Sequence, residues 1–227
     1  MEPVYSSLTD RTLELTKELG DAGQPRIVVV LAGPPGSGKS TIAAKVVQRL
    51  NATATAPFAA VLPMDGFHLS RSTLDALPNK AEAYARRGAA WTFDDAGVLK
   101  LVHALSKSRF TPSDIILAPS FDHALKDPVD GGIRITPDVK FILLEGNYLL
   151  LDEEPWNQIK ALVDDTWFVD VDPDLARNRI AKRHMKAGIE TTWEAAVNRA
   201  EGNDLLNGVD IRNKLVQPAV IIHSVEE

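Results

Sequence analysis

The sequence contains no cysteine among its 227 residues. Disulfide bonds, thiolate nucleophiles and thiolate metal sites are therefore excluded. No apolar run approaches the roughly 20 residues that a membrane-spanning helix needs, and residues 1–10 lack the basic and apolar segments of a signal peptide. We therefore expect a cytoplasmic protein that does not interact with membranes.

Positive charge is also scarce. The chain carries 25 Lys and Arg against 31 Asp and Glu, for a formal net charge of −6. This balance argues against a nucleic-acid partner, because phosphate backbones attract basic surfaces. The length and the 44% hydrophobic content suit one domain over residues 1–227, with an N-terminal helix and linker in 1–25. The sequence leaves open whether the protein is a monomer or a homodimer.

A glycine-rich segment lies between an apolar run, Ile27 to Ala32, and a helix-like segment that ends near Leu50. It matches the phosphate-binding pattern G-x-x-x-x-G-K-[ST] in the strand, loop and helix context that this pattern requires. Glycines leave room for backbone N–H groups to converge on phosphate oxygens. We therefore predict a nucleoside triphosphate site formed by Gly33, Pro34, Pro35, Gly36, Ser37, Gly38, Lys39, Ser40 and Thr41.

Two residues of this segment carry specific predictions. The ammonium group of Lys39 is expected to reach the β- and γ-phosphates, and the hydroxyl group of Ser40 is expected to bind Mg²⁺. The following helix adds the partial positive charge of its N-terminus.

Short apolar runs alternate with helical segments along the rest of the chain. Strands that are buried on both faces show such runs, so the pattern predicts an α/β fold with a doubly wound, mostly parallel sheet and helices on both faces. Ligands bind such sheets at the carboxyl ends of the strands. The runs are Ala59 to Leu62, Ile115 to Leu117, Phe141 to Leu144, Trp167 to Val171 and Ala219 to Ile222.

Two carboxylates follow these runs. Asp65 is predicted to be the general base that takes the proton of an acceptor hydroxyl, and the alternative is a turn residue that caps its own backbone before Gly66. Glu145 ends a buried run and is predicted to hold Mg²⁺ beside the acceptor, the alternative being a solvated strand end.

Three further residues are candidates for binding the acceptor. His68 and His123 both follow apolar runs, and either could form hydrogen bonds to the acceptor or serve a structural role in its loop. Arg87 lies beside Arg86 and close to Trp91 and Phe93, a combination suited to an anionic or polar molecule. Asp94 is predicted to cap the helix that follows it.

A cluster of cations lies in residues 173–190, which we predict to form a mobile lid. Arg179 and Arg183 share one helix face and are expected to close over the phosphates, whereas Gly188 would end the helix. The alternative is a solvated basic surface.

With these motifs in order, the sequence resembles the family of P-loop kinases that includes uridine kinase, phosphoribulokinase and bacterial-type pantothenate kinase. The resemblance runs from about Arg26 to Ile222, and its motifs look most like the branch labelled fructokinase-like or pantothenate-kinase-like. It implies that Asp65 is the catalytic base, that Glu145 lies near Mg²⁺, and that His123 lies at the acceptor. It also implies that Arg179 and Arg183 belong to the lid. Asn203 to Asn207 and the final strand would then lie near the adenine.

The favoured hypothesis is a kinase that transfers the γ-phosphoryl group of ATP, with Mg²⁺, to a hydroxyl group of a small metabolite. Sugars, nucleosides, pantothenate-like and glycerate-like alcohols all remain open as acceptors. The alternatives are a nucleotide hydrolase or switch and a regulatory protein without turnover. A guanine-reading Asn-Lys-x-Asp motif is absent, since its nearest match, residues 79–82, ends in Glu82 and suits a helix cap.

Overall fold

The computed structural model describes residues 1–226. Its strands are β1 (Ile27–Ala32), β2 (Ala59–Pro63), β3 (Ile116–Asp122), β4 (Asp127–Ile135), β5 (Phe141–Gly146), β6 (Asp165–Val171) and β7 (Val220–Ser224). Its α-helices are α1 (Glu2–Asp21), α2 (Lys39–Ala52), α3 (Arg71–Ala76), α4 (Lys80–Ala85), α5 (Asp95–Ser108), α6 (Pro173–Lys186), α7 (Trp193–Arg199) and α8 (Leu205–Asn213). A 3₁₀ turn, Met64–Phe67, follows β2, and a π-helical turn, Ala200–Asp204, precedes α8. None of the helices within residues 1–226 has the length and apolar character to span a bilayer.

Five strands form a parallel sheet in the order β2-β5-β1-β6-β7. In the register of this sheet, Glu145 lies opposite Leu31 on one side and Pro63 on the other. The carboxyl ends of β1, β2 and β5 therefore lie side by side, and the segments that follow them share one edge of the sheet. The predicted doubly wound α/β fold is confirmed.

Alternate residues of β1 contribute to two separate apolar layers. Val28 and Val30 pack with residues of α5 and the 3₁₀ turn on one face, whereas Val29 and Leu31 pack with α1 and α2 on the other. A strand that is covered on both faces needs apolar side chains at every position, which explains why its sequence is a continuous run.

The predicted strand near Ile115 does exist as β3, but its assignment to the buried parallel sheet is wrong. β3 pairs antiparallel with β4 in a separate hairpin, and the side chains of Ile115 and Leu117 are 45% and 56% exposed. The pairing shifts register between Ala118 and Ser120, around Pro119, which has no N–H to donate. An antiparallel hairpin tolerates one solvated face, so a short apolar run is compatible with it.

Several predicted helix ends agree with the structure. The side chains of Asp94 and Asp172 accept backbone N–H groups at the starts of α5 and α6, and Gly188 lies in the left-handed region just after α6. The side chain of Thr192 likewise accepts the N–H of Ala195 at the start of α7. α6 is the helix of the predicted lid.

Candidate active site

The predicted phosphate-binding segment connects β1 to α2. Gly36 and Gly38 adopt φ values of 77° and 85°, which side-chain-bearing residues rarely adopt. A Cβ atom on Gly33 would lie 2.7 Å from the carbonyl oxygen of Val169, and one on Gly36 would lie 2.8 Å from that of Ala176. These two glycines are thus needed for packing against β6 and α6, in addition to any role at phosphates.

Four polar residues of three elements meet at this edge of the sheet. The hydroxyl group of Ser40 donates a hydrogen bond of 3.1 Å to Oε1 of Glu145. Oε2 of Glu145 is buried and has no hydrogen-bond partner. Burial raises the pKa of Glu145 against the opposing effect of Lys39, and burial lowers the pKa of Lys39 against the opposing effects of Glu145 and Asp65. The structure therefore brings the predicted lysine, hydroxyl group and two carboxylates together.

The pair Ser40 and Glu145 fits the chemistry of Mg²⁺. Within residues 1–226, no three His, Asp or Glu side chains gather into a metal site. Mg²⁺ bound next to phosphates commonly takes one or two protein oxygens and completes its shell with phosphate oxygens and water. The partnerless Oε2 of Glu145 and the adjacent hydroxyl group can supply those protein oxygens.

Asp65 lies in the 3₁₀ turn that follows β2. Its backbone carbonyl accepts bonds from His68, at 3.2 Å from N and 2.8 Å from Nδ1. Its carboxylate receives no bond from the backbone of this turn in the part of the chain described, so the alternative of a self-capping residue finds no support. The carboxylate instead faces the Lys39 and Glu145 pair, whose pKa values it influences.

The two predicted histidines lie on either side of one aromatic ring. The ring of His68 is 4.1 Å from that of Phe93 and 4.9 Å from that of Phe121, and His123 lies 5.3 Å from Phe121. Because Nδ1 of His68 must donate to a carbonyl, Nε2 is left as an acceptor in the neutral ring. Burial lowers the pKa of His68 and so favours that neutral form.

Arg87, which is predicted to bind the acceptor, contacts the β3–β4 turn, and its role at the acceptor stays a prediction. Its guanidinium donates to the carbonyl oxygens of Lys126 (2.7 Å) and Leu69 (3.1 Å) and lies 3.6 Å from the carboxylate of Asp127. These contacts fix the β3–β4 turn to the chain that follows the Asp65 turn. The side chain of Arg87 is only 17% exposed, and its Nε is buried and has no hydrogen-bond partner within residues 1–226. The sequence could not show this, because the accepting carbonyl group of Lys126 lies 39 residues away.

Arg179 and Arg183 also differ in role, although they share a helix face. Arg179 donates to the carbonyl oxygen of Gly36 (3.2 Å), to the hydroxyl group of Ser224 (2.8 Å) and to the carbonyl oxygen of Val225 (2.6 Å). It therefore connects the glycine loop to the end of β7 in this structure, and its closure over phosphates stays a prediction. Arg183 is 60% exposed, and its charge contributes to lowering the pKa of Lys39, so it alone of the two retains a guanidinium available to phosphates.

Asp204, the last residue of the π-helical turn, lies in the range that the resemblance assigns to the adenine, but no role of its own was predicted for it from the sequence. Its carboxylate lies 3.3 Å from Nη2 of Arg183 and 3.6 Å from Nε2 of His184, and it acts on Lys39 electrostatically. The preceding residue, Asn203, was predicted to lie near adenine; its amide donates to the carbonyl group of Arg87 at 3.0 Å. π-Helical turns often occur at functional sites, but their i→i+5 bonds leave no clear sequence signal.

Two clefts flank this centre. One, of about 370 Å³, is lined by Gly66 to Ser70 together with residues of the β3–β4 hairpin and Asp94. The other, of about 320 Å³, is lined by Gly38 and Thr41 together with Arg179 and Ser224. The first cleft directly follows the Asp65 turn, and the second directly follows the phosphate-binding segment.

Known proteins are similar to this chain in sequence and in fold. Residues 28–193 match the model of the "Phosphoribulokinase / Uridine kinase family". A Schizosaccharomyces pombe protein named "Putative uridine kinase" is 38% identical over 221 residues, which cover 97% of this chain and 91% of that protein.

Two solved structures have the same overall shape. A Silicibacter protein described as a "putative fructose transport system kinase" superposes with a TM-score of 0.82 and 33% identity, over 96% of this chain and 98% of its own. YFH7 of Saccharomyces cerevisiae, described as a kinase with a circular permutation, has a TM-score of 0.87 and 27% identity, over 98% and 99%.

Proposed function

Because this chain belongs to the phosphoribulokinase and uridine kinase family of P-loop kinases, we propose that it transfers the γ-phosphoryl group of ATP to a hydroxyl group of a small metabolite. The observation that carries the proposal is the convergence of Lys39, Ser40, Asp65 and Glu145 at adjacent strand ends. The names of two relatives refer to uridine and to fructose transport, which supports an acceptor that is a small alcohol.

Each of these residues has a defined task in the proposed reaction. The carboxylate of Asp65 takes the proton of the acceptor hydroxyl as its oxygen bonds to the γ-phosphorus, while the bond from that phosphorus to the bridging oxygen breaks and ADP leaves. The ammonium group of Lys39 balances negative charge on the phosphates, and Arg183 closes over them from α6. Mg²⁺ held by Ser40 and Glu145 would neutralise further phosphate charge.

The nucleoside part of ATP is assigned to the cleft beyond Gly38 and Thr41. This cleft begins where the phosphate-binding segment enters α2, and Arg179 forms one of its walls. The acceptor is assigned to the cleft that follows the Asp65 turn. The two substrates would then meet at the carboxylate of Asp65.

The test is ADP formation measured with ATP, Mg²⁺ and a panel of about fifty alcohols. A kinase forms ADP only when its acceptor is present. Equal ADP formation without any acceptor would mean hydrolysis, and tight ATP binding without any ADP would mean a regulatory protein.

The substitution Asp65→Asn tests the assignment of the base. We expect kcat to fall by at least about a hundredfold, the lower end for a lost general base, while ATP binding persists. The control is Asp138→Asn, an exposed carboxylate just before β5, at the opposite edge of the sheet. Near-normal turnover of the Asp65 variant would contradict the proposed mechanism.

A further inference from the structure

Resting on this proposed function, we infer that the acceptor is an uncharged, hydroxyl-bearing molecule and not one that carries a carboxylate or a phosphate. The chain presents aromatic surface and carboxylates on the acceptor side, whereas the arginines nearest to it are already engaged by the protein itself.

The arginines nearest to the acceptor side form hydrogen bonds within the protein. Anionic groups are commonly recognised by a guanidinium that offers two parallel donors. Both terminal nitrogens of Arg87 already donate to backbone carbonyl groups, beside the carboxylate of Asp127. Arg86 is engaged in the same way, because its terminal nitrogens donate to the carbonyl group of Gly202 and to Oδ1 of Asn207. Nε of Arg87 has no partner within residues 1–226 but is buried, so an anionic acceptor would have to reach a buried atom and compete with these bonds in order to be held by two donors.

The charge of the cleft next to the Asp65 turn also bears on the acceptor. Within residues 1–226, no Lys or Arg lines this cleft, whereas Asp94 and Asp130 do. Arg71 and Lys126 lie nearby in the chain but are not part of the lining. Together with the catalytic carboxylate, the cleft would repel an anionic acceptor, and such repulsion is a common source of selectivity.

Aromatic and histidine side chains remain available to contact the acceptor. The ring of Phe121 contacts those of His68 and His123; His68 lines the cleft, and burial favours its neutral form. Neutral His68 offers Nε2 as an acceptor for a hydroxyl group. An aromatic ring with a neutral hydrogen-bonding neighbour suits the apolar face and hydroxyl groups of an uncharged polyol or nucleoside.

The experiment compares pairs of related acceptors in which one member is neutral and the other carries an anionic group. ADP formation is measured with fructose and fructose 6-phosphate, ribose and ribose 5-phosphate, glycerol and glycerate, and pantetheine and pantothenate. In every pair that supports turnover, we expect kcat/KM to be at least tenfold higher for the neutral member. Preference for an anionic member would overturn the inference alone. No turnover with these pairs or with the wider panel, while ATP still binds, would overturn the proposed function and the inference that rests on it.

Two variants test the assigned roles in the same assay. Arg87→Met should lower kcat/KM for both members of a pair equally, because the hairpin loses its attachment; a loss confined to the anionic member would show that Arg87 binds it. Asp130→Lys should narrow the preference for the neutral member several-fold by reversing one charge in the cleft. The matched control Asp138→Lys should leave the ratio unchanged, and an unchanged ratio in Asp130→Lys would count against repulsion as its source.

Discussion

Arg179 and Arg183 are separated by one helical turn, yet their guanidinium groups have different surroundings. Arg179 reaches three acceptors on the glycine loop and the end of β7. Arg183 contacts only the carboxylate of Asp204 and remains mostly exposed. The different roles of these two arginines therefore depend on which acceptor groups lie within reach of each side chain.

Arg179→Ala should lower the free energy of unfolding by about 2 kcal/mol, because hydrogen bonds from a charged group are lost and their acceptors are left unpaired. Arg183→Ala should change it by no more than about 0.5 kcal/mol, as an exposed substitution does, but should lower kcat more than it weakens ATP binding. Urea denaturation and steady-state kinetics of both variants check this. Equal destabilisation by the two variants would contradict the distinction.

At the scale of elements, the phosphate-binding segment and the π-helical turn are each held by contacts with α6 or its flanking residues. The backbone of Gly36 lies against Ala176 of α6, and Asp204 lies against Arg183 and His184. A movement of α6 would therefore displace both the phosphate-binding segment and the π-helical turn.

Gly36→Ala should destabilise the protein by about 2 kcal/mol or more and weaken ATP binding. The new Cβ would meet the carbonyl oxygen of Ala176 at 2.8 Å, in addition to the strain of a φ of 77°. Gly23→Ala is the matched control, because its φ is 84° but nothing lies within 4 Å of the added atom. The free energy of unfolding of Gly23→Ala should fall by about 1 kcal/mol, the cost of the left-handed backbone conformation alone. Denaturant unfolding and calorimetry of ATP binding compare the two, and equal losses would rule out the packing contribution.

Asp204→Asn should strengthen ATP binding. It removes a negative charge that faces Lys39 and pairs with Arg183. We expect the KM for ATP to fall roughly two- to fivefold, the size expected of one partly exposed ion pair. The effect should shrink in an Arg183→Ala background if it acts through release of that side chain. The exposed Asp174→Asn serves as the control, and weaker ATP binding in the Asp204 variant would contradict this role.

Across the whole molecule, the parts that local sequence predicts are those in which burial or backbone geometry dictates residue type. The continuous apolar runs of β1 and β5 and the spacing of Gly33, Gly36 and Gly38 predicted the parallel sheet and its glycine loop. The hairpin was misassigned because a short apolar run such as that of β3 suits a central strand and a half-exposed strand equally. The contacts of Arg87 and Asp204 depend on residues far away in the chain, and no local pattern encodes them.

The N-terminal helix is fixed to the central sheet by a buried carboxylate. Asp165 of β6 accepts hydrogen bonds from Nε of Arg11 at 2.5 Å and from Nε1 of Trp167 at 2.7 Å, and its side chain is 3% exposed. α1 also covers one apolar layer with Tyr5 and Leu8. The helix is therefore part of the folded core and not an appendage.

Asp165→Ala should lower the free energy of unfolding by about 3 kcal/mol, since the guanidinium of Arg11, the indole N–H of Trp167 and the backbone N–H of Thr166 all lose their shared acceptor. Asp10→Ala, an exposed acid of α1, should cost no more than about 0.5 kcal/mol. Guanidinium denaturation of both variants measures the difference. A small loss for Asp165→Ala would mean that the apolar layer alone holds α1.

The β3–β4 hairpin forms no ladder with the central sheet. It is attached through the close approach of Pro119 to Gly66, the guanidinium of Arg87 and the ring of Phe121. Residues 116–135 are thus a modular unit, and grafting a hairpin of another shape there would alter acceptor choice while sparing phosphoryl chemistry. A successful graft needs a carbonyl oxygen for Arg87, clearance above Gly66, and apolar side chains in the places of Ala118 and Ile135, which are buried in the core.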